Sequence, residues 1–248
     1  MTSQHGTGNI VVLTGAGVSA ESGVPTFRTH GQTSYWEYHD DGGALRKRPV
    51  EEICTPGALA RDRRLVLDFY DRRRRALAGV APNAAHHALA RLDAAWPGDL
   101  LVVTQNVDDL HERAGARRLL HMHGELLSAL CEACGARTAF AGDMLDGPAC
   151  VECGAAARRP DIVFFGEMPH GMERIERALT DADLFVSIGT SGAVYPAAGF
   201  VQIARHAGAE TLELNLEASA GSGFFHETRL GPAGMLVPDW VEAILAGA

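Results

Sequence analysis

The 248 residues, 46% of them hydrophobic, suffice for one sizeable core with a small satellite domain. A formal net charge of −9 excludes a surface built to neutralise nucleic-acid phosphates or anionic lipid, and points to small molecules or cationic protein segments as partners. The start, MTSQHGTGN, lacks a basic stretch followed by an apolar run, and no apolar segment approaches bilayer-spanning length, so a cytoplasmic chain with no membrane partner is expected.

In chain order, the run Asn9-Ile-Val-Val-Leu-Thr14 has the β-branched density of a buried parallel strand and stops at Gly15. Residues 30–75 are aromatic and then strongly charged, and a helix is predicted over 62–77 with Leu65, Leu67, Phe69 and Leu77 on its apolar surface. A helix over 83–93, a strand Leu100-Leu-Val-Val-Thr104 and a cysteine-bearing stretch, 125–160, come next. A helix over 172–180, a strand Ala182-Asp-Leu-Phe-Val-Ser-Ile188 ending at Gly189, a helix over 197–207 and a strand Glu210-Thr-Leu-Glu-Leu-Asn215 complete the pattern. Strands alternating with helices predict an α/β fold with a Rossmann-like, doubly wound parallel sheet, whose ligands sit at the carboxyl ends of the strands. Those ends carry Gly15-Ala16-Gly17, Gln105-Asn106-Val107-Asp108, Gly189-Thr190-Ser191 and Asn215. The stretches 30–75 and 125–160 break the alternation and read as two insertions that make a smaller domain.

Gly15-Ala-Gly17-Val-Ser-Ala20 follows a strand and fits the relaxed dinucleotide pattern G-x-G-x-x-A, in which glycines allow a tight turn and bring backbone N–H groups to a pyrophosphate. The same residues could form only a tight turn, and no acidic residue ends the next strand to hold a ribose. Cys131-x-x-Cys134 and Cys150-x-x-Cys153, separated by fifteen residues, can complete a tetrahedral four-thiolate zinc site with no open coordination position, so the metal is structural. A pair of redox motifs is the alternative, but no thioredoxin-like context accompanies either pair. Cys54 stands alone, and in a chain without an export signal this usage reads as reduced thiols rather than disulfides.

The segment from Gly15 through Glu21 and Pro25 to Phe27-Arg28 closely resembles the signature loop of the sirtuins, and Thr104-Gln-Asn-Val-Asp-Asp-Leu-His-Glu-Arg-Ala-Gly115 resembles their second motif. His123-Gly124-Glu125, Phe165-Gly166-Glu167, Gly189-Thr-Ser191 and Asn215-Leu216-Glu217 follow in the family's order, so the resemblance covers residues 10 to 235. One departure is the link Thr29-His-Gly-Gln-Thr-Ser34 before Tyr35-Trp36, which differs from the short link common in the family.

The resemblance implies an NAD-dependent protein-lysine deacylase of the bacterial, class III-like kind. Residues 1–29, 76–124 and 161–248 would form the NAD-binding domain. The helical insertion 30–75 and the zinc-binding module 125–160 would form the small one. Sirtuins transfer the acyl group to NAD, releasing nicotinamide, 2′-O-acyl-ADP-ribose and free lysine. His123 would be the general base at a ribose hydroxyl, a task suited to an imidazole with pKa near ~6.5. The other histidines, His121, His86 and His87 among them, keep the ordinary reading of core or surface residues. Asn106 and Asp108 would serve the nicotinamide side and Gln105 the ribose, although Thr-Gln-Asn could equally cap the helix that begins near Asp108. Ala16, Ser19, Glu21, Pro25, Phe27 and Arg28 would line the opposite wall, with Phe27 shielding the reactive carbon. Gly189, Thr190, Ser191 and Asn215 would take the phosphate and adenosine ribose, with Val107, Leu216, Glu217 and Ala233 completing the cofactor set. Residues 163–167, with Val163, Phe165, Gly166 and Glu167, would pair with the substrate backbone as an added strand.

Tyr70 and Arg73, three apart on the predicted helix, resemble the Tyr-x-x-Arg of class III sirtuins, which holds the carboxylate of succinyl- or malonyl-lysine. That implies desuccinylase and demalonylase activity beside deacetylation. Residues 72–75 could instead be a solvated basic face, and Arg74 is also within helical reach of Tyr70. A hydride-transfer dehydrogenase would leave the cysteines and Gln105-Asn106 without a role, and a non-enzymatic reader of acyl-lysine would not need His123. A monomer acting on acylated lysines, with no nucleic-acid partner, is the expectation.

Overall fold

The computed structural model describes residues 8–25, 28–29, 32–33, 35–39 and 43–247, with backbone alone at 28–29 and 32–33. Its strands are β1 (Ile10–Thr14), β2 (Arg28–Thr29), β3 (Gln32–Thr33), β4 (Tyr35–His39), β5 (Leu45–Pro49), β6 (Leu100–Thr104), β7 (Leu119–His121), β8 (Gly124–Cys131), β9 (Arg137–Ala139), β10 (Arg158–Ile162), β11 (Leu184–Ile188), β12 (Glu210–Asn215) and β13 (Glu227–Leu230). Its helices are α1 (Ala16–Ala20), α2 (Val50–Ile53), α3 (Pro56–Arg61), α4 (Arg63–Leu77), α5 (Ala84–Ala95), α6 (Leu110–Ala114), α7 (Met172–Thr180), α8 (Phe200–Ala207) and α9 (Ala233–Ala246). The chain divides into two compact units: Met1–Val24, Ala81–Met122 and His170–Ala248 form one, Pro25–Val80 and His123–Pro169 the other.

The first unit is built on a parallel sheet in the order β13-β12-β11-β1-β6-β7. Every residue of β1, β6 and β11 is buried, as strands covered on both faces must be. Alternate side chains serve opposite cores. Ile10 and Val12 pack with Leu89 and Leu92 of α5 and Val237, Trp240 and Val241 of α9. Val11 and Leu13 pack with Ile175 and Leu179 of α7 and Phe200, Val201 and Ala204 of α8. Each such aliphatic side chain contributes about 1.5–3 kcal/mol by leaving water. The fold is therefore the doubly wound α/β arrangement. Residues 197–207 begin as a 3₁₀ turn at Ala197–Gly199 before α8 becomes regular, so the helix expected there is shorter.

The second unit holds an antiparallel sheet in the order β10-β8-β9. The register shifts at Pro160/Asp161, where a proline without an N–H is tolerated at a bulge. Helix α4 starts from an Asp62 cap, whose carboxylate accepts the Leu65 N–H at 3.0 Å, and packs Leu67 on Ala129 and Met144. The stretch expected as a helical insertion is not wholly helical: β4 and β5 pair as a hairpin, across which Arg48 Nε donates to the Tyr38 hydroxyl at 3.0 Å; within β4 Trp36 stacks on Tyr38 at 4.6 Å, and it makes an edge-type contact with Phe69 of α4. No helix among the described residues is long and apolar enough to cross a membrane.

Candidate functional site

In the six-stranded sheet the chain leaves β1 for β6 on one side and returns to β11 on the other, which makes the carboxyl end of β1 a topological switch point. The turns gathered there are Gly15-Ala16-Gly17, residues 105–109 and residues 189–192. Gly17 and Gly189 pass backbone to backbone: a Cβ on Gly17 would lie 2.8 Å from the Gly189 Cα, and Gly189 itself has φ +63°. The amides expected to face a phosphate are occupied, since the Gly15 N–H donates to the Ile188 carbonyl at 2.9 Å and the Gly17 N–H to the Gly189 carbonyl at 2.8 Å. These glycines lock the β1 and β11 turns together.

Asn106 and Asp108 are buried in the β6 turn. The Asn106 side-chain amide donates to the Gly15 carbonyl at 3.0 Å and to the Ser19 hydroxyl at 2.9 Å, which leaves its oxygen as the acceptor of the group. At the start of α6 it is Asp108 that accepts the Leu110 N–H, at 3.2 Å, while the Thr104 hydroxyl accepts the Asn106 N–H within the turn and Asn106 reaches the β1 turn instead of the helix. Burial pushes the Asp108 carboxyl up, while the Ser19 hydrogen bond, the Leu110 N–H and the charge of His121 pull it back. Gln105 is half-buried and lines an open recess of about 330 Å³ with Ser187, Thr190, Gly192, Ser219 and Gly221. Val107 is half-buried in the same turn.

Thr190 is buried against Ser187, and its carbonyl accepts the Asn215 amide at 2.7 Å, so the β11 and β12 turns are joined. Ser191, Leu216 and Glu217 lie exposed beside them. Glu21 and Ala233 are brought together directly: the Glu21 carboxylate accepts the Ala233 and Gly234 N–H groups at 2.5 and 2.9 Å, capping the start of α9. Ala16 is half-buried and Pro25 is exposed; Phe27 and the side chain of Arg28 lie outside the described residues, as does part of the 29–34 link.

In the second unit, the Val163 N–H donates to the His123 carbonyl at 2.9 Å. Gly124, at φ +83°, starts β8 where a Cβ would fall 2.1 Å from the Asp161 carbonyl oxygen, so strand pairing itself demands glycine after His123. Strand β10 ends at Ile162, and residues 163–167 form a turn rather than a strand: the Phe165 N–H donates to the Cys54 carbonyl, the Glu167 N–H to Phe164, and the Phe164 N–H to the Glu167 carboxylate. Glu167 also pairs with Arg159 at 2.8 Å, leaving Phe165 and Gly166 exposed.

Tyr70 stacks on Phe164 at 5.9 Å. Its hydroxyl is wholly buried without a well-formed hydrogen bond, and its polar neighbour is the Cys54 thiol. Burial raises Tyr70 well above the ordinary phenol range and pushes the Cys54 thiol up to about 11, while the Arg73 charge acts on both in the opposite sense. The arginine run is not one solvated face. Arg72 pairs with Asp68 and Arg75 with Asp143 on the outside, whereas Arg74 is buried, with its Nη1 2.6 Å from Asp71 and its Nε donating to the Leu126 carbonyl at 2.9 Å. Arg73 is half-buried beside Phe69, and its Nη2 donates to the Pro25 carbonyl at 3.3 Å.

The ligand sulfurs of Cys131, Cys134, Cys150 and Cys153 all lie within 4.8 Å of one another, with Cys131–Cys153 at 3.7 Å and Cys134–Cys150 at 3.9 Å. Four sulfurs at about 2.3 Å from a zinc ion stand about 3.8 Å apart on a regular tetrahedron, so the cluster has the size that ion needs. Both pairs are built alike: the Gly135 and Gly154 amides donate to the Cys131 and Cys150 carbonyls at 2.8 Å, each glycine at φ +74°. The sequence did not single out His121, whose ring contacts both the Asn106 carbonyl and Glu112. No periodicity could have marked it, because its partners lie on another strand turn and on a short helix.

The profile of the Sir2 family matches residues 15–196. The chain is 51% identical over 241 residues to an NAD-dependent protein deacylase of Caulobacter vibrioides, covering 96% of this chain and 97% of that one. It is 48% identical over 245 residues to an NAD-dependent protein deacylase of Trypanosoma brucei brucei, covering 97% and 96%. Among solved structures, a Sir2 homologue in complex with NAD superposes with a TM-score of 0.83 at 34% identity, covering 96% of this chain and 90% of that chain. A Sir2 homologue bound to 2′-O-acetyl ADP ribose superposes at 0.82 and 33%, covering 95% and 91%. With the turns of β1, β6 and β11 carrying the motifs that the sequence comparison matches, the chain belongs to the Sir2 family.

Proposed function

We propose that this protein is an NAD-dependent protein-lysine deacylase that removes acyl groups ending in a carboxylate, succinyl and malonyl, beside acetyl. The activity named for its relatives, at about half identity over nearly the whole chain, supports the deacylase reading. The acyl preference rests on one observation: a buried Tyr70 hydroxyl without a well-formed hydrogen bond, with the half-buried Arg73 guanidinium acting on it from the next helical turn. A thiol is only a weak acceptor, so a buried hydroxyl whose polar neighbour is Cys54 favours a ligand that supplies a stronger one. A terminal carboxylate supplies it and pairs with the guanidinium. Arg74 is fixed through Nε and Nη1 by Asp71 and two backbone carbonyls, with Nη2 left buried and without a hydrogen bond, so comparing Arg73 and Arg74 variants directly decides between the two.

The first unit is assigned to the dinucleotide and the second to the acyl-lysine and a structural zinc. When bound, NAD supplies the sugar carbon that releases nicotinamide and takes the acyl oxygen. Asn106 Oδ1 and the Asp108 carboxylate are acceptors suited to a carboxamide N–H. Glu21 positions the start of α9 by accepting the Ala233 and Gly234 N–H groups. A ring nitrogen of His123 removes the proton of a ribose hydroxyl. Cys131, Cys134, Cys150 and Cys153 would hold a zinc ion that ties the two knuckles together, a structural part. The net charge of −9 suits cationic, lysine-bearing protein segments as substrates.

The test compares kcat/KM for succinyl-, malonyl- and acetyl-lysine peptides in the wild type and in Arg73→Met and Tyr70→Phe. Loss of about 10-fold or more on the acidic acyl groups, with acetyl little changed, is expected from the worth of charge-assisted hydrogen bonds. Equal effects on all acyl groups refute the acyl preference, and no NAD-dependent turnover of any of them refutes the deacylase reading.

A further inference from the structure

We propose that His121 is a positioning residue, held as an imidazolium by Glu112, that fixes the Asn106–Asp108 turn. The residue ends β7, opposite Thr104 in the parallel register, so its ring lies beside the turn that follows β6. Its Nδ1 is 2.9 Å from the Asn106 carbonyl oxygen and its Nε2 is 2.6 Å from the Glu112 carboxylate. A carbonyl and a carboxylate only accept, so satisfying both contacts requires a proton on each ring nitrogen. Only 9% of the His121 side chain is exposed, which shelters that charge from solvent screening.

The cation has two effects on neighbours already described. It holds the Asn106 main chain while the side-chain amide of the same residue reaches Gly15 and Ser19. Its charge opposes the upward push that burial gives the Asp108 carboxyl, together with the Ser19 and Leu110 hydrogen bonds. The groups around the ring are consistent with a single positive charge there. Glu112 and Asp108 are the carboxyl groups on its side, and Asp109 is turned to Arg113 in an ion pair at 2.7 Å. His111 on the same helix and His86 on α5 stay neutral, pushed down to about 3 and about 4, chiefly by burial.

The kinetic arm of the test rests on the deacylase reading; the spectroscopic arm does not. Glu112 is 41% exposed, so Glu112→Gln folds and keeps a hydrogen-bonding group beside the ring while removing the charge. In wild-type protein labelled with ¹⁵N-histidine, and with His121→Gln used for assignment, both His121 nitrogens should be protonated at pH 7.5; in Glu112→Gln the ring should lose its proton over a lower pH range. With NAD and the best acyl-peptide, kcat of Glu112→Gln should fall about tenfold relative to wild type at pH 8, and the ratio should recover as the pH drops to 6. His121→Gln should show a similar loss that does not recover. A neutral His121 ring at pH 7 in the wild type overturns the proposal, as does a Glu112→Gln to wild-type ratio that is flat with pH. A wild type that turns over no acyl-peptide refutes the deacylase reading, and the proposal then stands or falls on the ¹⁵N spectra.

Discussion

Arg73 and Arg74 are neighbours on α4 with opposite surroundings, and replacing each by methionine should separate binding chemistry from folding. The Arg74 guanidinium lies against Asp71 and donates to the Leu126 and Gly142 carbonyls at 2.9 and 3.0 Å, with its side chain 1% exposed. Asp71 in turn accepts the Met144 and Leu145 N–H groups at 2.9 and 2.8 Å, so the pair ties α4 to β8 and to the loop before the second cysteine knuckle. Breaking a buried pair costs about 3–5 kcal/mol. Asp71 keeps its two backbone donors in Arg74→Met, which sets the loss near the lower end, about 3 kcal/mol. For a chain of this size that is a fall in Tm of roughly 6–12 °C. Arg73→Met, at a half-buried position, should move Tm by less than about 2 °C. The assay is thermal unfolding paired with acyl-peptide kinetics below the transition. Arg74→Met should affect succinyl and acetyl turnover alike, and Arg73→Met only succinyl. An Arg74→Met protein as stable as the wild type would refute the buried-pair argument, and selective loss of succinyl turnover in that variant would move the acyl contact from Arg73 to Arg74.

Removing zinc with a strong chelator should unfold the second unit and abolish activity, because metal-binding free energy in such a site is folding free energy; metal analysis of active protein should find one zinc per chain. His123→Ala should lower turnover by about 10²–10⁴-fold while NAD affinity, read by calorimetry, stays near that of the wild type. Acid should weaken the first unit early. His86 and His111 sit near 4 and 3 in the folded chain, chiefly through burial, against about 6.5 when unfolded, so below pH 6.5 the unfolded state binds more protons and stability falls with pH. Their joint contribution between pH 7 and pH 5 is about 3 kcal/mol, measurable by denaturant unfolding, and a His86→Gln/His111→Gln variant should lose most of that slope.

The central strands were legible because burial on both faces leaves runs such as Ile10–Thr14 and Leu100–Thr104 with no polar alternation. The edge strands were not: β7 has three residues, and all four residues of β13, Glu-Thr-Arg-Leu, are exposed. Helix α9 escaped notice because Pro238 sits inside it, where a sequence reading ends a helix. The four cysteines could be read from spacing alone, since chelation depends on two local knuckles. The small antiparallel sheet that carries them could not, because its register shifts at Pro160 and Asp161 and its strands are separated by the knuckles themselves.

The glycines show why motif and role can part. Of the two readings open for Gly15 and Gly17, a phosphate-facing turn and a tight turn alone, the structure favours close packing of turns, and it places Gly189 likewise: a Cβ on any of the three would come within 2.8 Å of backbone in another turn. Their amides already bond to the Ile188, Gly189 and Leu214 carbonyls in turn, so the anion-facing donors of a dinucleotide site have to come from elsewhere in these turns. What the three glycines secure is the fixed spacing of the β1 and β11 turns. Asn106 extends that spacing to the β6 turn by reaching Gly15 and Ser19, and Glu21 extends it to the start of α9. A substitution such as Gly17→Ala should therefore act on the placement of Asn106 and Asp108 as much as on any phosphate, and lower kcat together with NAD affinity rather than affinity alone.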